Sequence, residues 1–159
     1  MISSAQAPEA VDGDVVLALE VLPAIVRLVS HATADGSQYP LTMTQYRLLR
    51  RLDRGPRRTC DLAAALDVTP TTVSATIDTL VRRGLVERLP RGDDRRTVPL
   101  AITVPGREAL AAGRARQAAA LRELGAGLSP HERRALTTGL SGVARALRFR
   151  EASAPAGSA

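Results

Sequence analysis

Arg91, Arg95 and Arg96 surround Gly92, Asp93 and Asp94 in one short charged stretch. Arginine chemistry is anion chemistry: a planar fork of N–H donors matches the oxygens of phosphate and carboxylate. On a narrow stalk, an arginine can enter a DNA minor groove, where negative potential concentrates. An acid two positions ahead, as Asp94 stands to Arg96, can hold the guanidinium in one pose. Taken alone, the same residues also read as a solvated turn with offsetting charges. A second group lies upstream. Thr69, Thr71, Thr72, Ser74, Ala75, Thr79 and Arg82 fall within 14 residues. Short hydroxyls allow close approach to DNA, and free N–H groups at a helix start favour phosphate. Cys60 is the one cysteine. It reads as a small residue in the first turn of a helix, because no second cysteine is present to close an intrachain disulfide. His31 and His131 are too few and too far apart in sequence for a metal site. The chain shows no metal-ligand cluster, Gly-rich phosphate loop or nucleophile–base pair, so neither catalytic residues nor a cofactor are expected.

The elements that position these groups follow from periodicity and capping. Val15, Leu19, Leu22, Ile25, Val26 and Val29 recur at helical spacing up to His31. Pro23 either kinks this helix or marks a start nearer Leu22. Thr33 to Pro40 reads as a loop. Thr42 with Gln45 three residues on is a capping box, opening a helix buried through Tyr46, Leu49 and Leu52. Thr59 is expected to cap a short helix carrying Leu62, Ala63 and Leu66. After a turn at Asp67 and Val68, Thr69 caps a helix with Pro70 at its first position, running to Arg83 and stopping at Gly84. Its Val73, Ile77 and Leu80 share one face; Thr71, Thr72, Ala75, Asp78, Thr79 and Arg82 share the other. Leu85 to Leu89 and Val98 to Thr103 read as two strands around the charged loop, with Pro99 demoting the second to an edge strand or to pairing on one side. An Ala- and Arg-rich helix follows from about Pro105 to Leu124. Ser129, Pro130 and Glu132 then open a last helix with Leu136, Leu140, Val143, Ala144 and Leu147 along a seam.

The expected fold class is mainly α with a small β-hairpin wing: a winged helix-turn-helix plus a helical dimerisation region. Residues 1–14 read as a flexible arm, 15–40 as an N-terminal dimerisation helix and loop, and 41–104 as the DNA-binding domain. Residues 105–150 read as C-terminal dimerisation helices and 151–159 as a disordered tail. One small winged helix cannot cover the stripes of the first and last helices. An obligate homodimer is therefore expected, with Leu19, Leu22, Leu136, Leu140, Val143 and Leu147 near the interface.

Composition supports a nucleic-acid partner. The formal net charge is +6 and every basic residue is Arg. The lack of Lys and Asn also follows from a GC-rich genome, but codon bias does not place charge. From Leu41 to Thr103 there are 12 Arg against 7 acids; the rest of the chain is nearly balanced. A localised basic segment is the footprint of a polyanion partner. Tyr39, Tyr46 and Phe149 are the only aromatic residues, so the core must be aliphatic. Val15 to Val29, broken by Glu20, Pro23 and Arg27, is expected to be too interrupted for a membrane span of about 20 residues. No signal peptide is read, and a single cysteine fits a reducing cytoplasm.

The runs LTMTQYRLLRRL and DLAAALDVTPTTVSATIDTLVRRGLVERLPRGDDRRTVPLAITVPG, over about Leu41 to Gly106, resemble the central domain of the MarR family. The resemblance implies a six-helix subunit whose first and last two helices entwine into a dimer, with Thr69–Arg83 as recognition helix. It places the family's Asp-x-Arg wing motif on Asp94 and Arg96, with Arg95 between them, and a backbone-phosphate contact on Ser74. Ala75 and Thr79 stand where many members carry longer polar or basic side chains. Base readout then falls to Thr71, Thr72 and the Ala75 methyl, which suits a thymine methyl. The expected function is a ligand-responsive repressor on an inverted-repeat stretch of double-stranded DNA. Its small-molecule effector would sit in a mainly aliphatic pocket between dimerisation helices and winged helix. The alternatives are a winged-helix regulator of another family and a protein-interaction module with no operator of its own.

Overall fold

A computed structural model describes residues 13–34, 38–90 and 98–153, the side chains of 150–153 excepted. Residues 1–12 of the expected arm, residues 91–97 of the charged loop and the tail from 154 lie outside the described residues; the arm does not extend to 14, since Gly13 and Asp14 open a helix. Two compact units divide the chain, one up to Ala120 and one from Leu121.

Helix α1 runs from Gly13 to Ala34 with Pro23 inside it. It is one helix, which settles the choice left open by Pro23, at the cost of one donor to the Leu19 carbonyl. By length and composition α1 is apolar enough to cross a membrane. The expectation that its charges and proline interrupt it too far is not met on those criteria. Its last turn, however, is tied into unit 1. Thr33 is fully buried; its hydroxyl donates to the Val29 carbonyl at 2.6 Å and accepts from Gln117 at 2.7 Å. Arg116 donates to the carbonyls of Ala32 and Thr33 at the helix end, where intrahelical donors run out; the Thr33 carbonyl also accepts from Leu41 N at 3.4 Å.

Helix α2 (Met43–Leu52) starts at the expected box: Thr42 Oγ1 accepts from Gln45 N, and Gln45 Oε1 accepts from Thr42 N. Helix α3 (Thr59–Leu66) departs from expectation. Thr59 is its first helical residue and Arg58 is the cap, because the Asp61 carboxylate accepts the Arg58 backbone N–H. Three residues, Asp67 to Thr69, then separate α3 from α4 (Pro70–Arg82). Asp67 takes the left-handed conformation at φ 54°, and Val68 N donates back to Ala63 O while Asp67 N donates to Ala64 O. This is a Schellman turn without glycine; a short acidic side chain tolerates the left-handed region better than most. At the far end of α4 the same motif recurs with Gly84 at φ 69°, Gly84 N bonding Val81 O and Leu85 N bonding Leu80 O.

Strands β1 (Val86–Arg88) and β2 (Leu100–Ile102) pair antiparallel, Val86 opposite Ile102 and Arg88 opposite Leu100. The expectation that Pro99 confines β2 to an edge is corrected. Leu100 exchanges both backbone bonds with Arg57 on the side away from β1, so this two-stranded hairpin is bonded on both sides of β2 at that residue. Pro99 is tolerated because the donor it lacks faces β1, where its carbonyl still accepts from Leu89 N at 2.8 Å.

Helix α5 (Val104–Ala126) is started by Thr103, whose hydroxyl accepts from Gly106 N and donates to Gly84 O. The core gathers Leu41, Leu48, Leu49 and Leu52 of the α2 region with Leu62 and Leu66 of α3. Val73, Ile77 and Leu80 of α4, the strand residues and Ala109 complete it. In unit 2, helix α6 (Pro130–Ser153) opens at the expected Ser129–Glu132 box. It extends past the expected end at 150.

Candidate nucleic-acid interface

Helix α4 is fixed by one face and presents the other. Val73, Ile77 and Leu80 are fully or almost fully buried, whereas Thr71, Thr72, Ser74, Ala75, Asp78 and Arg82 are exposed. Thr69 caps the helix: its hydroxyl oxygen accepts from Thr72 N at 3.3 Å and lies 2.9 Å from the Thr72 hydroxyl. Thr79 is half-buried. Its hydroxyl donates to Ala75 O and accepts from Arg82 Nη2 at 3.1 Å, which folds Arg82 back along the helix. Thr71 and Ser74 make no side-chain hydrogen bond among the described residues, so both hydroxyls stand open to an incoming phosphate or base edge.

The outward face of α4 does not stand alone. Thr42, Thr44 and Gln45 of the α2 region join Thr71, Thr72, Ala75, Thr76 and Thr79 around an open concavity of about 650 Å³. The α2 side of this surface was not legible in sequence, where Thr42 and Gln45 read only as a cap. Arg83 holds the two helices together, donating to Pro40 O at 2.8 Å and to Gln45 Oε1 at 3.3 Å.

Several central arginines are bonded to other segments of the protein at its surface. Arg47 and Arg51 donate to the Leu66 and Ala65 carbonyls at the C-terminus of α3. Cations there also suit the negative end of the helix dipole. Arg88 is paired with Asp78 at 2.7 Å. The central charge excess therefore overstates what faces a partner. Asp94, Arg95 and Arg96 lie outside the described residues.

The expected dimerisation residues are all uncovered in the single chain. Leu19 and Leu22 of α1 are 68% and 56% exposed, and Leu136, Leu140, Val143 and Leu147 of α6 are about half exposed. Among the described residues of α6 none is buried. Cys60 is exposed on the first turn of α3, its thiol 3.7 Å from Asp61 Oδ1. Among the described residues no group of His, Cys, Asp and Glu could hold a metal ion.

Between α2 and α5, a concavity of about 500 Å³ is lined by Arg50, Arg54, Arg107 and Arg114 with Tyr46, Asp53, Leu110 and Ala111. Arg107 and Arg114 are seven residues apart and share one face of α5, while Arg50 lies on α2 and Arg54 in the turn just after it. The pattern reads as solvated surface until the two faces oppose each other.

The sequence profile of the MarR family matches residues 41–98. Solved structures give likenesses over most of the chain. RV1404 from Mycobacterium tuberculosis is 28% identical with a TM-score of 0.72, covering 89% of this chain and 97% of that one. A probable transcriptional regulator from Pseudomonas aeruginosa is 28% identical with a TM-score of 0.61, covering 78% and 94%. AbsC, a MarR family transcriptional regulator from Streptomyces coelicolor, is 25% identical with a TM-score of 0.62, covering 89% and 99%. Nothing among curated proteins matches the chain by sequence.

Proposed function

The chain carries the MarR-family domain over residues 41–98, and from that premise we propose that it is a homodimeric, cytoplasmic repressor that binds an inverted-repeat DNA operator and releases it when an anionic ligand binds. The observation that carries the DNA reading is the division of α4: a locked apolar face and an open face of Thr71, Thr72, Ser74 and Ala75. A helix of this width fits the major groove, with its N-terminal half against the base edges. Arg96, oriented by Asp94, is assigned the adjacent minor groove, and Arg95 a phosphate. The uncovered leucines of α1 and α6 support a second copy of the chain as partner. The four arginines between α2 and α5 support an anionic effector. A ligand can act there only if it prefers a dimer geometry that no longer fits the operator.

The test begins with duplexes selected from random-sequence DNA by the purified protein. Two-fold symmetry predicts an inverted repeat with half-sites roughly 10–10.5 bp apart. Arg96→Ala should weaken selected and shuffled duplexes alike and flatten the log–log salt dependence by about 0.9 per lost contact, up to roughly twice that per dimer. Thr72→Ala should instead lose about 1–3 kcal/mol of discrimination and keep non-specific binding. Asp94→Ala should resemble a milder Arg96→Ala. An Arg96→Ala protein with unchanged affinity and salt slope removes the wing from the mechanism. Absence of salt-dependent binding to any duplex favours the protein-interaction module.

A further inference from the structure

Asp78 is the one acid of α4 and lies on the exposed face that carries Ala75 and Arg82. An acid there repels a polyanion, so simple electrostatics makes Asp78 a liability on a DNA-reading helix. Its partner gives it another role. Arg88 of β1 donates through Nη2 to Asp78 Oδ1 at 2.7 Å, with the two side chains 49% and 54% exposed. Strand periodicity places Val86 and Arg88 on the same face of β1. Val86 is buried, and Arg88, beyond the edge of the core, reaches the same helix through charge. Strand β1 is three residues long, pairs among the described residues only with β2, and leads within two residues into the arginine-rich segment 91–97. Its backbone alone gives it little lateral fixing.

We propose that Asp78 and Arg88 are positioning residues, a clamp that sets the first wing strand against the recognition helix so that both meet DNA in one register. The pair also neutralises Asp78 where an unpaired acid would oppose phosphate. This rests on the DNA-binding reading above.

The sign of one substitution separates the clamp from plain electrostatics. Affinities of full-length Asp78→Asn, Arg88→Ala, the double variant and the charge swap Asp78→Arg with Arg88→Asp are measured by fluorescence anisotropy. The probes are the duplex selected by the wild-type protein and a shuffled version of it, at several salt concentrations, with melting temperatures alongside. The clamp predicts that Asp78→Asn weakens the selected duplex by roughly 3- to 10-fold, the size expected of an exposed charge pair in each of two subunits. Binding to the shuffled duplex should be unchanged or tighter. The double variant should be no worse than the more damaging single, and the swap should recover part of the loss. Asp78→Asn binding the selected duplex as tightly as wild type, or more tightly, overturns the clamp. So does an equal loss on both duplexes accompanied by a lowered melting temperature, which marks a structural role only. Wild-type protein without salt-dependent binding to either duplex overturns the DNA reading and the clamp together; wild-type selectivity with an indifferent Asp78→Asn overturns the clamp alone.

Discussion

Gly106→Ala sets two effects of opposite sign against each other. Gly106 lies in the first turn of α5, where helix propensity favours alanine over glycine by roughly 1 kcal/mol. Space decides otherwise. An alanine Cβ would fall 2.1 Å from the Leu85 carbonyl oxygen and 2.8 Å from Ile102 Cγ1. Ordinary C···O contacts begin near about 3.3 Å, so α5 and the backbone at Leu85, just before β1, must part by roughly 1 Å. Neither side yields easily. Leu85 is fully buried and its carbonyl accepts from Thr103 N, while Gly106 N is held by the Thr103 hydroxyl at 3.1 Å. Overpacking of this kind costs about 1–3 kcal/mol, and loss of the Thr103 cap adds about 1 kcal/mol. Set against the propensity gain, a net loss of about 2 kcal/mol is expected. Urea unfolding at one fixed protein concentration measures it, since association adds to apparent stability. Gly125→Ala, whose Cβ meets nothing within 4 Å, is the control and should shift stability by less than about 1 kcal/mol, if anything upward. A midpoint for Gly106→Ala equal to or above wild type refutes the steric argument.

Asp67→Val should cost about 1–2 kcal/mol, because a β-branched residue must enter the left-handed region; Asp67→Gly should not show that loss in the same unfolding assay. The Ser129 hydrogen bonds hold the Glu132 carboxyl below its ordinary range. A depressed folded-state value means the box supports α6 above the ordinary carboxylate range and is lost as pH falls through the lowered value. Circular dichroism should show this acid step reduced in Glu132→Gln, and an identical step in both proteins removes the assignment. Leu140→Glu should shift the protein to monomer in light scattering at micromolar concentration; an unchanged dimer takes α6 out of the interface. Cys60→Ser should leave DNA binding and its response to mild peroxide unchanged, and peroxide release of wild type but not of the variant would assign the thiol a redox role.

The order of elements was readable in the sequence because each boundary has a local cause. Thr42–Gln45, Thr69–Pro70, Gly84 and Ser129–Glu132 act on backbone groups within a few residues, so their effect survives without tertiary context. The two faces of α4 were legible for the same reason: a period of 3.6 residues sorts Val73, Ile77 and Leu80 from Thr71, Thr72 and Ala75 before anything packs. Local signals failed where competing partners came from elsewhere. Thr59 yielded the cap position to Arg58 once Asp61 took the Arg58 N–H. Strand β2 gained a partner on its second side through a bridge from Leu100 to Arg57, 43 residues upstream. What only the tertiary structure decided is where long side chains end. Arg47, Arg51, Arg83, Arg88 and Arg116 all count as positive charge in composition, yet each terminates on a carbonyl or carboxylate of another segment. Arg50, Arg54, Arg107 and Arg114 meet across a shared concavity instead. A guanidinium reaches far beyond its own backbone, so its partner is set by which elements pack beside it, and sequence spacing carries no record of that.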